Sequence, residues 1–133
     1  MSDLVWYTKN YGGGGGLFKF ADTVVTRLQV RPGKYVVHGR VVIMNDDTDW
    51  QPATARMTSA NGTILIDQIL FNICGRGDPK QLAYMVVSLQ GVLEITNIQG
   101  TEIIDIRCAT YNGGAFSAKL LAVKVNDLIE ASL

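Results

Sequence analysis

A single histidine, His38, is the whole imidazole supply of this chain. It stands between Val37 and Gly39, with neither cysteine nor any serine near it in sequence. A nucleophilic triad needs a base beside its nucleophile, so the expectation is a protein that is not an enzyme. Cysteine is scarce as well. Cys74 and Cys108 are too few for a disulfide framework. Pairing depends on their separation in space, and free, mostly buried thiols acting as small hydrophobes are expected. Net charge is missing too, because 12 basic residues cancel 12 acidic ones. Nothing of that kind draws the chain to nucleic acid or to an anionic membrane. Aromatic and basic residues do not alternate along one strand as nucleic-acid modules require. No apolar run nears the ~20 residues that cross a bilayer, so no membrane insertion is expected. The start, MSDLVWYTKNY, has no basic region leading into an apolar one, so no secretory signal is expected. That leaves the compartment open, including an extracellular or particle-bound place reached by another route. Charged residues make up 18% of the chain, below the ~25% usual for soluble domains. With hydrophobic residues at 47%, the chain either has a large core or hides apolar surface against a partner.

What is present is alternation. From Gly33 to Met44, Tyr35, Val37, Gly39, Val41 and Ile43 fill every second position, and Lys34, His38 and Arg40 fall between them. A period of two makes a strand with one buried face. Pro32 and Gly33 open it, and Asn45, Asp46 and Asp47 close it. Shorter strands are expected at 4–8 and 17–20. At 23–30, Val24, Leu28 and Val30 face inward, and at 53–59 Ala53, Ala55 and Met57 do. Asn61-Gly62 signals a hairpin. The stretch 63–74 is apolar, but Asp67 and Gln68 interrupt it and leave its face ambiguous. At 83–95 a strand with Met85, Val87, Leu89, Leu93 and Ile95 inward is favoured over a helix by its β-branched content. At 103–110, Ile104, Ile106 and Cys108 face inward and Asp105 and Arg107 outward. Residues 116–125 form the last strand. The expected fold is all-β: one domain over 1–133, an antiparallel jelly-roll β-sandwich of eight to ten strands. Its parts are a first strand and glycine-rich loop at 1–16, a core at 17–125 and a tail at 126–133. The run Gly12 to Gly16 has no Lys-Ser/Thr after it, so it is a flexible loop and not a phosphate cradle.

Three strands are apolar on both faces. The last has Phe116, Ala118, Leu120 and Ala122 on one side and Leu121, Val123 and Val125 on the other. The strand at 83–95 adds Tyr84, Val86 and Val92, and the long strand adds Val36, Val42 and Met44. A sheet wetted on one side alternates with polar residues instead. Apolar area is worth ~25 cal/mol per Å² when buried, so a homo-oligomer that buries one sheet face is expected. Tyr84, Val86, Val92, Phe116, Leu120, Leu121 and Val123 are its interface candidates.

The segment LQVRPGKYVVHGRVVIMNDD, with Leu28 ahead of Pro32-Gly33-Lys34-Tyr35, resembles the opening of the long central strand in the tumour-necrosis-factor and complement-globular-head superfamily. IRCATYNGGAFSAKLLAVKV resembles that superfamily's last two strands and the short loop between them. The resemblance covers residues 17 to 125 and is strongest to small bacterial or phage-borne members. It implies a compact homotrimer with an apolar axis, and a structural or binding role without catalysis. On that reading the chain is the head or cap of a larger particle or secreted assembly. The alternative is a lectin-like or cytokine-like module that meets a carbohydrate or protein receptor through Trp6, Trp50, Tyr111 and Asp46, since exposed aromatics beside carboxylates suit sugars.

No cofactor is expected. Asp46, Asp47 and Asp49 are a candidate calcium site, because calcium takes six to eight oxygens of this kind. The bland reading of the same residues is a solvated turn. Arg76-Gly77-Asp78 spells an integrin-binding tripeptide, and Asn61-Gly62-Thr63 a glycosylation sequon. The first arises readily by chance, and the second has meaning only in a chain that enters a secretory pathway.

Overall fold

A computed structural model describes residues 5–10, 16–77, 83–96 and 100–126, with the backbone alone for 5–10 and Phe18. Gly12 to Gly15, the side chain of Trp6, Asp78, residues 97–99 and the tail from 127 lie outside the described residues. The described residues form nine strands and no helix. One sheet runs in the order β1 (Val5–Asn10), β9 (Asn112–Val125), β4 (Gly33–Asn45), β7 (Ala83–Ile95), and β2 (Gly16–Phe18) also pairs with β9. The other runs β3 (Thr23–Val30), β8 (Glu102–Thr110), β5 (Gln51–Ser59), β6 (Ile64–Ile73). All pairings are antiparallel, and the two sheets form a β-sandwich.

β4 is the spine of the first sheet. Along its length it pairs with β7 on one side and β9 on the other. Tyr35, Val37, Val41 and Ile43 are fully buried, as their period requires. Leu89 and Val87 of β7 and Ala118, Leu120 and Ala122 of β9 join them. Leu28, Val30, Ala55, Met57, Ile104, Ile106 and Cys108 face them from the second sheet. Each large aliphatic side chain buried this way stabilises the fold by roughly 1.5–3 kcal/mol. The Pro32-Gly33 turn is tied down by Tyr35, whose hydroxyl donates to the Arg31 carbonyl at 2.7 Å. The stretch 83–95 is a strand, held to β4 from Gly33↔Ile95 to Asn45↔Ala83.

Four expectations about which side chains share a face do not hold, two of them at bulges. In β3 the register slips between Val24 and Thr26, so Val25 packs on the core instead of Val24. In β9 it slips opposite Arg40 and Val42, where Ser117 has a left-handed φ of 52°. The extra residue inverts the alternation. Ala115 is buried and Phe116 turns to the outer face beside Val42, away from Ala118, Leu120 and Ala122 with which the period groups it. Met85 was expected inside but is 39% exposed, because β7 is an edge strand. Asp105 was expected outside but is 3% exposed. It accepts Arg107 Nε at 3.1 Å and Nη2 at 3.0 Å, and the Thr58 hydroxyl as well. The hydrogen bond to Asp105 raises the Arg107 pKa against the opposing effect of burial, with further upward pushes from the charges of Asp105 and Asp22.

Close approach requires glycine at 91 and 113, among other positions. A Cβ at Gly91 would meet the Ile66 side chain at 2.5 Å, so its absence lets β6 close over β7 at the sandwich edge. A Cβ on Gly113 would stand 1.9 Å from the Met44 carbonyl oxygen. Main chain cannot step aside as a flexible side chain can. Gly113→Ala is therefore expected to cost about 3 kcal/mol or more, read as a lowered denaturant midpoint. An unchanged midpoint would show that β4 and β9 separate freely there.

Both cysteines are free, Cys74 exposed and Cys108 buried. Burial pushes the Cys108 thiol up to about 12, with a smaller push from the Asp22 charge. The unfolded chain, with its thiol near 9.0, releases a proton that the folded chain keeps. This contribution to stability is complete below about pH 9 and is lost as pH rises toward 12. At pH 8 a thiol reagent is expected to modify one cysteine quickly and the second only in denaturant. Two fast thiols in the native chain would contradict the burial of Cys108.

Candidate functional site

The outer face of the β1-β9-β4-β7 sheet is set by the even-numbered residues of β4, and the register aligns their neighbours in rows. Tyr84 lies beside Met44, and Val86, Val42 and Phe116 form the next row. At the other end, Val92, Val36 and Val123 align. Tyr84 is 56% exposed, Val86 47% and Val92 59%. Val42, Phe116, Leu121 and Val123 are half-buried or buried among these neighbours. The face thus carries two apolar patches. Six of the seven interface candidates lie on it: Tyr84, Val86, Val92, Phe116, Leu121 and Val123. Leu120 does not. It is fully buried between the sheets, because the bulge at Ser117 sets Ala118, Leu120 and Ala122 inward, so Leu120 is a core residue and offers no surface.

A second apolar surface runs along β6, where the sequence left the face ambiguous. Ile64, Leu65, Ile69 and Leu70 are 42–68% exposed. Leu70 shares the outer face with Thr54, while Ile69 shares the inner face with Ala55 but sits at the open rim. The signal was present as an apolar run. A bulge between Met57 and Thr58, which leaves Ile66 unpaired, and a turn of Asp67 toward β7 obscured it. The Gln90 N–H donates to Asp67 Oδ2 at 2.8 Å and so ties the two edges together.

Loops gather at the end of the sandwich where β4 stops. Asn45, fully buried, organises them. Its Nδ2 donates to the carbonyls of Asp49 (2.9 Å), Cys74 (3.1 Å) and Ile73 (3.3 Å). Its Oδ1 accepts the Asp47 N–H at 2.8 Å and Gln51 Nε2. Gln51 carries the link on to the Asn112 N–H at 2.7 Å and carbonyl at 3.0 Å. Trp50 and Tyr111, next to Gln51 and Asn112, are therefore held at one end, 69% and 57% exposed. Phe20 packs on Tyr111 with ring centroids 5.2 Å apart.

The acidic cluster does not converge. Asp46 faces Arg76 at 3.6 Å, and Asp47 Oδ1 accepts the Thr48 N–H at 2.7 Å. No group of three His, Cys, Asp or Glu among the described residues is placed to hold a metal ion. Asp46, Asp47 and Asp49, the candidate calcium ligands, lie on the loop that Asn45 organises. Arg76 of the integrin-like tripeptide is held in the same loop, with its N–H on the Asp47 carbonyl at 2.8 Å. Asn61 of the sequon accepts Arg107 Nη2 at 3.1 Å in the β5–β6 turn. His38 is exposed on the outer face, between Gln90 and Leu121 in the register.

Comparison with models of known protein families and with curated proteins finds no match to this chain.

Proposed function

We propose that the chain is a non-catalytic assembly module: a jelly-roll sandwich that forms a homotrimer through the outer face of its β1-β9-β4-β7 sheet and serves as the head or cap of a larger particle. The strand order supports the jelly-roll reading. Each sheet interleaves early and late strands, β1 beside β9 and β3 beside β8, so the chain winds back and forth between the layers. The observation that carries the assembly reading is the pair of aligned apolar rows on the outer face. Val86, Val42 and Phe116 form one, and Val92, Val36 and Val123 the other.

A ring also needs two different surfaces that fit one another, because a patch meeting its own copy closes as a dimer. The apolar β6 edge supplies the second surface. A stable interface buries about 800 Å² on each partner, and the sheet face and β6 edge together offer apolar area for it.

Two tyrosines test this reading against each other. Tyr84 and Tyr111 are 56% and 57% exposed in the lone chain, but only Tyr84 lies on the sheet face. Covalent tyrosine labelling is expected to mark Tyr111 and spare Tyr84. Equal labelling would mean that the face is wet.

A second reading has its own support. Trp50 and Tyr111 stand exposed at one end with Asp46 between the loops, an arrangement that suits a carbohydrate or a protein receptor. Specific hits on a glycan array, lost in Trp50→Ala, would favour it. Silence leaves the assembly role ahead.

A further inference from the structure

A groove of about 430 Å³ opens on the β3-β8-β5-β6 sheet, within the roughly 300–1,000 Å³ of small-ligand sites. It lies at the far end from Trp50 and Tyr111. Those residues flank the start of β5 and the end of β8, whereas the groove flanks the end of β5 and the start of β8. Arg27 of β3 stands on one side of β8, and Ala60 and Asn61 of the β5–β6 turn stand on the other. Thr101, Glu102, Ile103 and Asp105 line the space between them. The turn has an uncommon backbone. Ala60 and Asn61 have φ angles of 51° and 54°, in the left-handed region that alanine seldom enters. Glu102 ties the turn down, with Oε1 accepting the Ala60 N–H at 2.9 Å.

Three polar groups of the groove are anchored on one side and open on the other. Glu102 Oε1 also accepts the Ile103 N–H at 3.3 Å, while Oε2 accepts no hydrogen bond among the described residues. Asn61 Oδ1 accepts Arg107 Nη2 at 3.1 Å, which leaves its Nδ2 as a donor. Thr101 Oγ1 accepts Gln29 Nε2 at 2.5 Å, which leaves its own O–H to donate. Arg27 is exposed, and no hydrogen bond or ion pair holds its guanidinium among the described residues. Asp105 adds no open acceptor of this kind, because Arg107 and Thr58 take its oxygens. Ile103 sets an apolar side chain, 41% exposed, among these groups.

We propose that this groove binds a neutral carbohydrate. Its charges select against ions, since Glu102 repels an anion and Arg27 repels a cation. A sugar hydroxyl both donates and accepts, so neighbouring hydroxyls meet the Arg27 fork and the open Glu102 oxygen together. The C–H face of the sugar ring covers Ile103. Glu102, Asn61 and Thr101 are already held, so binding orders few side chains and loses little of its energy to that. The groove is on the opposite sheet from the apolar rows and is complete on one chain. It therefore needs neither the trimer nor a site at Trp50.

The test is a glycan array with the full chain, followed by NMR titration of the isotope-labelled chain. The titrants are each neutral sugar that binds and, separately, free leucine, a zwitterion that also carries both charges. Sugar binding is expected to shift the amide signals of Arg27, Asn61 and Ile103. Arg27→Gln should weaken it about tenfold, the worth of one hydrogen bond to a charged group. Ile103→Ser should weaken it as well. Both residues are exposed, and circular dichroism checks that each variant folds. Trp50→Ala should bind as the parent does. Loss of binding in Trp50→Ala belongs to the loop-end reading and overturns this one. Silence on the array, shifts confined to the Trp50 and Tyr111 loops, unchanged affinity in Arg27→Gln, or binding of leucine alone each overturn the proposal.

Discussion

Asn45→Ala is expected to lower the melting temperature by about 15 °C. Asn45 is fully buried and makes five hydrogen bonds that join three segments: the β4–β5 loop, the end of β6 and, through Gln51, the start of β9. Alanine leaves the carbonyls of Ile73 and Cys74, the Asp47 N–H and the Gln51 amide short of partners. Each buried group so stranded costs about 1–3 kcal/mol. Water reaching the outer loop offsets part of this, so a total near 4 kcal/mol is reasonable, which corresponds to roughly 15 °C in a domain of this size. Asn45→Asp should do as badly at neutral pH, because it faces a carboxylate toward three carbonyl oxygens. Melting has to be followed at one protein concentration, because association of copies makes a melting temperature concentration-dependent. A fall of less than about 3 °C would mean that the loops hold themselves without Asn45.

Val86→Lys is expected to abolish assembly while leaving the fold intact. Val86 is 47% exposed in the lone chain, so lysine there keeps its charge in water and costs the monomer little. In the assembled face the same ammonium is desolvated in every copy, beside Val42 and Phe116 and one row from Arg40. An unpaired buried charge costs several kcal/mol, and each subunit brings one. The expected result is a species of single-chain mass with an unchanged strand signal in circular dichroism. Leu120→Ala should behave in the opposite way. It opens a cavity in the core and lowers stability by about 2–5 kcal/mol without acting first on assembly. The pair distinguishes a surface residue from a core residue of the same strand, which sequence alone had grouped together.

That grouping shows where legibility stopped. The all-β class, the bounds of β4 and the buried row from Tyr35 to Ile43 followed from a two-residue period that nothing interrupts. The period failed wherever a bulge intervened. Ser117 in its left-handed conformation moved Phe116 out and fixed Leu120 in, and no sequence signal marks a serine that adopts positive φ. The slip in β3 exchanged Val24 for Val25 in the same way. Asp105 and Asn45 were missed for another reason. Polar side chains go inside only when partners far along the chain meet them, and Thr58 and Gln51 are partners that topology supplies. The same gap explains the acidic loop. Asp46, Asp47 and Asp49 are read from sequence as a cation site while their neighbours are unknown; the ion pair of Asp46 with Arg76 and the bonds from Asn45 to the main chain of Asp47 and Asp49 come from topology.

The central claim is that the outer sheet face is apolar because copies of the chain cover it. The native mass by light scattering, at micromolar concentration and moderate salt, tests this most directly. A mass three times the 14.5 kDa of one chain is expected. A stable mass of one chain, with Tyr84, Val86 and Val92 left in water, would contradict it.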